Sequence, residues 1–183
     1  MPELGRPGSS LVAGGKRSEV VIFMGTSGLI TKNTWYSFAA YFPSDAYAYD
    51  HTHDVISQWY KDGSPVRLLT ADDKLILDIG DAKGGKEEIA IGDLTKDSWH
   101  EFVFHFIHSH GADGYIEVWY DGQKKINRTG GNMYTDELPK WKVGIYKAAF
   151  EYGKADVSKR VIYFDNIRVG DMNSTYNFMR PDN

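Results

Sequence analysis

Cysteine is absent from all 183 residues, which excludes disulfide bonds, thiolate catalysis and any cysteine-based zinc site. Long apolar runs are missing as well. No stretch approaches the roughly 20 residues that a helix needs to cross a bilayer, so a membrane partner is not expected. Clustered positive charge is also lacking. The net charge is −4 and no Lys/Arg run occurs, which argues against nucleic acid as a partner. No window holds a 3.6-residue apolar period over the length of a helix, so helices are expected to be short or absent. The local signatures GxSxG, HExxH, the P-loop and the EF-hand loop do not occur.

What the chain has in quantity is aromatic side chains: 12 Tyr, 9 Phe and 5 Trp. Such residues favour half-buried sheet faces, and the same rings can stack on sugars. The length suits one domain. Residues 1–15 carry Pro2, Pro7 and several glycines and read as a flexible arm. Residues 16–172 read as the domain and 173–183 as a C-terminal tail.

From Lys16 onward, short runs of Val, Ile, Phe, Tyr and Trp alternate with Gly, Asp, Asn and Pro. Strands are expected at Arg17–Met24, Trp35–Phe42, Val55–Tyr60, Val66–Thr70, Leu75–Ile79, Glu87–Ile91, Trp99–His108, Tyr115–Tyr120, Lys124–Arg128, Lys142–Ala149 and Arg160–Val169. Two hairpins are explicit, one closed by HGADG and one by Asp121-Gly122, a pair suited to a tight turn. The pattern predicts an all-β fold, a two-sheet antiparallel β-sandwich. In the run Trp99–His108, Phe102, Phe104 and Phe106 point to the core. Trp99, Glu101, Val103, His105 and Ile107 form a mixed face, expected to be wetter or concave.

Three segments carry chemistry. In KRSEV, Arg17 and Glu19 share a strand face, and an Arg held by a carboxylate offers a fixed fork of donors; an ordinary surface ion pair has the same pattern. In DVISQWY, Gln58 and Tyr60 share a face with Ile56, as a cleft lining or as a solvated edge. In KWKVGIYK, Lys142, Gly144 and Tyr146 share a face. There Gly144 leaves room for a ligand and Lys142 favours the Tyr146 phenolate. His51 and His53 form an H-x-H pair without a third ligand set, so no metal is assigned. His108 and His110 read as solvated loop residues, while His100 faces either the core or the cleft.

The segments and their order resemble the heparin-lyase-like and glucuronan-lyase-like polysaccharide lyases, and more loosely the jelly-roll alginate lyases. The resemblance rests on GKRSEV, WYSFAAYFPSD, DVISQWY, SWHEFVFHFIHS, DGYIEVWYDGQ, WKVGIYK and IYFDNIRVGD, which together span residues 15–171. It implies a concanavalin A-like jelly roll whose cleft takes an anionic polysaccharide and cuts it by β-elimination. It further implies that Arg17 holds the substrate, Gln58 neutralises the uronate carboxylate, Tyr146 transfers the proton and Lys142 supplies charge. Tyr60 stands where relatives carry the histidine of Gln-x-His, and is a catalytic candidate. Further substrate contacts are expected from Glu19, Lys147, Arg67, His53 and Trp59.

No cofactor is required by this chemistry, and a structural calcium ion is compatible with such jelly rolls. Relatives carry further strands before the Arg-x-Glu segment. The domain is therefore expected to be short of N-terminal strands, with an exposed sheet edge open to self-association. An origin in a secreted or periplasmic protein is expected, although MPELGRPGSSLVAGG shows no signal-peptide core. Two other readings fit the fold: a non-catalytic, lectin-like carbohydrate-binding domain, and a glycoside hydrolase drawing its carboxylates from Glu19, Glu101 and Glu117.

Overall fold

The computed structural model describes residues 16–23, 28–81 and 84–181. The arm expected over residues 1–15 lies outside them. The described residues form eleven strands: β1 (Lys16–Phe23), β2 (Asn33–Tyr41), β3 (Asp54–Tyr60), β4 (Val66–Ala71), β5 (Lys74–Gly80), β6 (Lys86–Asp93), β7 (Trp99–Ile107), β8 (Tyr115–Tyr120), β9 (Gln123–Thr129), β10 (Lys140–Lys147) and β11 (Tyr163–Gly170). Each overlaps one of the strands expected from the alternating pattern. A 3-10 turn at Ala148–Phe150 and a short helix, α1 (Tyr176–Met179), complete the regular structure. No helix among the described residues is long and apolar enough to cross a membrane.

The strands pair antiparallel into a six-stranded sheet, β1-β10-β3-β4-β5-β6, and a five-stranded sheet, β11-β2-β7-β8-β9. The Asp121-Gly122 hairpin forms as expected, with both residues at positive φ (47° and 77°), the geometry a tight two-residue turn requires. The inner faces meet in an aromatic core. Tyr36 and Phe38 of β2 and Phe102, Phe104 and Phe106 of β7 are fully buried against Trp59 of β3 and Trp141 of β10. The Trp59 ring lies 5.0 Å from Phe104 and 4.6 Å from Phe106, edge-on and tilted arrangements that aromatic quadrupoles favour.

Alternation fails at one point that matters later. The register of β3 against β4 shifts between Val55 and Ser57, a bulge that turns Ile56 into the core beside Trp59. Ile56 therefore does not share the outward face with Gln58 and Tyr60. The mixed face of β7 is the outside of the five-stranded sheet, and part of it is covered. Val103, Trp35 and Trp119 pack with Met179 and Tyr176, so the chain's last turn seals this patch. At the other border of the molecule, β1 is an edge strand with Val20 and Val21 exposed.

His108 corrects a second expectation. Instead of lying in solvent it is buried, 2.8 Å from the Tyr36 hydroxyl, because β7 carries it inward on the Phe face. His110 is exposed and pairs with Asp136. His100 faces the core end of the sheet, 2.7 Å from Asp121, with the Tyr120 hydroxyl at 2.9 Å.

Burial pushes the His108 imidazole down to about 3. The unfolded chain takes up a proton near pH 6.5 that the folded chain refuses, so His108 lowers stability as the pH falls from about 6.5 towards 3. His108→Gln keeps an acceptor for Tyr36 without the titration. In urea unfolding at about pH 7 and pH 4, the wild type should lose about 3 kcal/mol more than the variant. Equal acid losses would show that His108 protonates in the folded protein.

Candidate active site

The outer face of the six-stranded sheet gathers most of the residues expected to act. Strand alternation turns Arg17 and Glu19 of β1, Lys142 and Tyr146 of β10, and Gln58 and Tyr60 of β3 outwards, while Trp141 and Trp59 point inwards. The register sets Arg17 opposite Tyr146, Glu19 opposite Gly144 and Lys142 opposite Gln58.

At the centre, the Gln58 amide nitrogen on β3 donates to Glu19 on β1, reaching across β10. The Gln58 carbonyl oxygen accepts from the Ser64 hydroxyl. Glu19 also lies 3.1 Å from the Arg17 Nε. Gln58 is thus held from both ends, and its amide orientation is set before any ligand arrives. The Arg17 guanidinium lies 4.5 Å from the centre of the Tyr146 ring, and the Lys142 ammonium lies 4.5 Å from that of Tyr60. Lys140 is 5.5 Å from the same Tyr60 ring. Burial is the main cause lowering the Lys142 pKa; Glu19 opposes it, and Arg17 and Lys140 add repulsion.

Two expectations about β10 change here. Lys142 serves Tyr60 rather than Tyr146, and Arg17 takes the Tyr146 position because the β1–β10 register places the two opposite. The space at Gly144 is not a ligand gap. Its φ is +144°, and a Cβ there would stand 2.2 Å from the Ser18 carbonyl oxygen. The glycine lets the β1 backbone close on β10 and so brings Glu19 within reach of Gln58.

Further along the face, Arg67 of β4 donates to Asp78 at 2.7 Å, and Lys86 lies 3.6 Å from the same carboxylate. His53 precedes β3. Partial burial first, then the Arg67 and Lys147 cations, hold its imidazole below the usual range. The two histidines of the H-x-H pair part company: His51 binds Asp156 at 2.6 Å. Among the described residues, the one group with metal-ligand spacing is Asp50, His51 and Asp156. Its Asp50 already lies 3.2 Å from Lys147 and 3.5 Å from Arg160, so cations of the chain neutralise it.

The structure removes two residues from the substrate surface. Trp59 is sealed in the core, since it sits on the inward side of β3. Lys147 is fully buried, 2.8 Å from Asp54 and 2.9 Å from the Thr52 hydroxyl. Arg160 binds Asp54 from the other side at 2.8 Å, completing a buried cluster of two cations and two carboxylates. The hydrolase reading also loses its geometry. Glu101 and Glu117 lie on the other sheet from Glu19, and Glu117 is engaged with His105 and Lys124. Ser64 and Asp78 were not foreseen. Ser64 lies in the turn between β3 and β4 and Asp78 within β5, and neither position carries a catalytic pattern in the chain.

Cations, a clamped amide and two phenols thus share one outer face of a two-sheet antiparallel sandwich. A family model described as polysaccharide lyase matches residues 3–168, and the chain belongs to that family. No curated sequence matches significantly. Among solved structures, the endo-β-1,4-glucuronan lyase of the fungus Trichoderma reesei is similar at TM-score 0.72 and 17% identity, covering 92% of this chain and 79% of that one. The alginate lyase of Alteromonas sp. 272 is similar at TM-score 0.58 and 15% identity, covering 86% and 79%. The receptor-binding domain of botulinum neurotoxin mosaic serotype C/D is also similar, at TM-score 0.60 and 12% identity, covering 90% of this chain and 38% of that one. At such identities the likeness carries the fold, not the activity.

Lys147→Met separates the structural from the substrate role. Removing one partner leaves buried carboxylate uncompensated, so unfolding free energy should drop by about 3–5 kcal/mol, read by urea titration. The KM of the folded fraction should not change. A raised KM with stability intact would return Lys147 to the substrate surface.

Proposed function

We propose that the chain cleaves a uronate-containing polysaccharide by β-elimination, with Tyr146 as the proton-transferring group. The observation that carries this reading is the placement of Arg17, Gln58, Lys142, Tyr60 and Tyr146 on one sheet face, with the amide clamped and a cation over each phenol. Family membership supports it.

The reaction removes the proton at C5, α to the uronate carboxylate, and puts further negative charge on a group already charged. Donors aimed at that carboxylate stabilise the enolate-like transition state, each by about 3–4 kcal/mol in well-formed sites. Arg17 and Lys142 are cations at this place, and Gln58 adds an amide whose orientation Glu19 and Ser64 maintain. Tyr146 is the group that accepts the C5 proton. The C4–O bond breaks, a C4=C5 double bond forms, and the leaving oxygen takes a proton from Tyr146 or from water. Tyr60, beside Lys142 and Lys140, is the second phenol on the face.

Local charge favours an anionic chain despite the negative total. Arg17 and Lys142 outnumber Glu19, while Arg67 and Lys86 balance Asp78 and Glu88, so the cation surplus lies at the Arg17 end. A polyuronate lying along this face meets cations at both ends, with His53 at the Arg67 end.

Incubation with glucuronan, alginate and heparin-like chains should raise the ultraviolet absorbance of unsaturated uronate ends on at least one polymer. Tyr146→Phe should abolish the rise, and Arg17→Ala should lower kcat about 10²–10³-fold. Full activity in Tyr146→Phe would move the base to Tyr60. Binding on every polymer without any absorbance change would make this a non-catalytic binder.

A further inference from the structure

The five-stranded sheet has its own outer face, on the far side of the sandwich from the site above. α1 covers one end, where Met179 and Tyr176 pack on Trp35, Val103 and Trp119. The other end is open. There the register aligns Tyr163 of β11, Tyr41 of β2 and Trp99 of β7 in one row across three neighbouring strands. The ring centres of Tyr41 and Trp99 are 5.6 Å apart, and those of Tyr41 and Tyr163 are 6.1 Å apart. Tyr163 is 55% exposed and Trp99 42%, while Tyr41 between them is half-buried.

Large aromatic rings left in solvent cost free energy, and three in one row form a continuous apolar surface. Adjacent rings are inclined by 52°, so the row presents separate facets rather than one flat plane. One step along the strands, Asp165 and Glu101 stand on either side of Ala39, the small residue between them. Asp97 lies 3.5 Å from the Tyr41 hydroxyl. Partial burial, then Asp97 and Asp45, raise the Tyr41 pKa, which marks the negative surroundings of the row.

We propose that Tyr163, Tyr41 and Trp99 form a second, non-catalytic binding surface for a neutral polysaccharide. The apolar faces of pyranose rings stack on aromatic rings, and the flanking carboxylates accept hydrogen bonds from sugar hydroxyls. The same carboxylates repel a polyuronate, so the charge on each side of the sandwich selects a different polymer. The surface would hold the protein on a neutral matrix while the opposite face works on the acidic chain. It does not depend on that face being catalytic.

The test is affinity electrophoresis of the whole chain in native gels cast with hydroxyethylcellulose, glucomannan, xylan or glucuronan. Retardation is expected in at least one neutral gel, about tenfold weaker in apparent affinity for Trp99→Ala and Tyr163→Ala. Both side chains are solvent-facing, so the variants should fold and keep the wild-type action on short uronate oligomers. Tyr146→Phe should be retarded like the wild type. Free migration in every neutral gel, or retardation indifferent to both variants, would overturn the proposal. Glucuronan retardation that depends on Trp99 would overturn the ligand class. A concentration-dependent dimer abolished by Trp99→Ala, without glycan retardation, would make the row a contact between copies and overturn it too.

Discussion

The close fit of β10 between β1 and β3 is the constraint on which the rest of the candidate face depends. Trp141 anchors the strand from inside, donating to Ser57, whose hydroxyl in turn donates to the Lys142 carbonyl. Gly144 lets the β1 backbone close against it from one side. Lys147 pins its end into a buried cluster with Asp50, Asp54 and Arg160. With the strand held at these points, Lys142 and Tyr146 have little choice of position. Gln58 can then span β10 to reach Glu19.

The protein manages its charges in two contrasting ways. Lys147 and Arg160 are sealed with Asp50 and Asp54, where desolvation is costly and each charge is tolerable only because its partners are present. On the outer face of the same sheet, Arg17, Lys142, Arg67 and Lys86 share fewer carboxylates; Lys142 is buried there, and the other three are partly exposed. Exposed charges further apart than about 10 Å are largely screened, so this local surplus governs an anionic chain more than the net −4 does. On the opposite sheet Asp97, Asp165 and Glu101 stand near the aromatic row, with Arg168 one step further along β11.

The fold itself was largely legible in the residue order. Period-2 alternation marked each of the eleven strands, and the Asp121-Gly122 pair marked its turn. The Phe face of β7 was readable because three large apolar residues at alternate positions have only one favourable side to face. Arg17, Glu19, Gln58, Lys142 and Tyr146 were identifiable as candidates from their spacing, and the sheet order brings them together. Less was legible wherever a partner came from a distant strand. The bulge that buries Ile56 leaves no local signature. The ammonium of Lys142 goes to Tyr60, and that of Lys147 to Asp50 before β3 and Asp54 at its start.

Sequence alone therefore determined the strands, their turns and which residues alternate, because backbone geometry and side-chain period act over a few neighbouring positions. It also determined the types of group available: no thiol, few helical segments, many aromatics and a small set of cations. Only the tertiary structure decided burial and pairing. His108, Trp59 and Lys147 look solvent-ready in the chain and are sealed in the fold, since another sheet or a distant loop lies over them. Whether a cation faces water, a phenol or a carboxylate depends on the strand that register places beside it, and register is settled by packing across the whole sandwich.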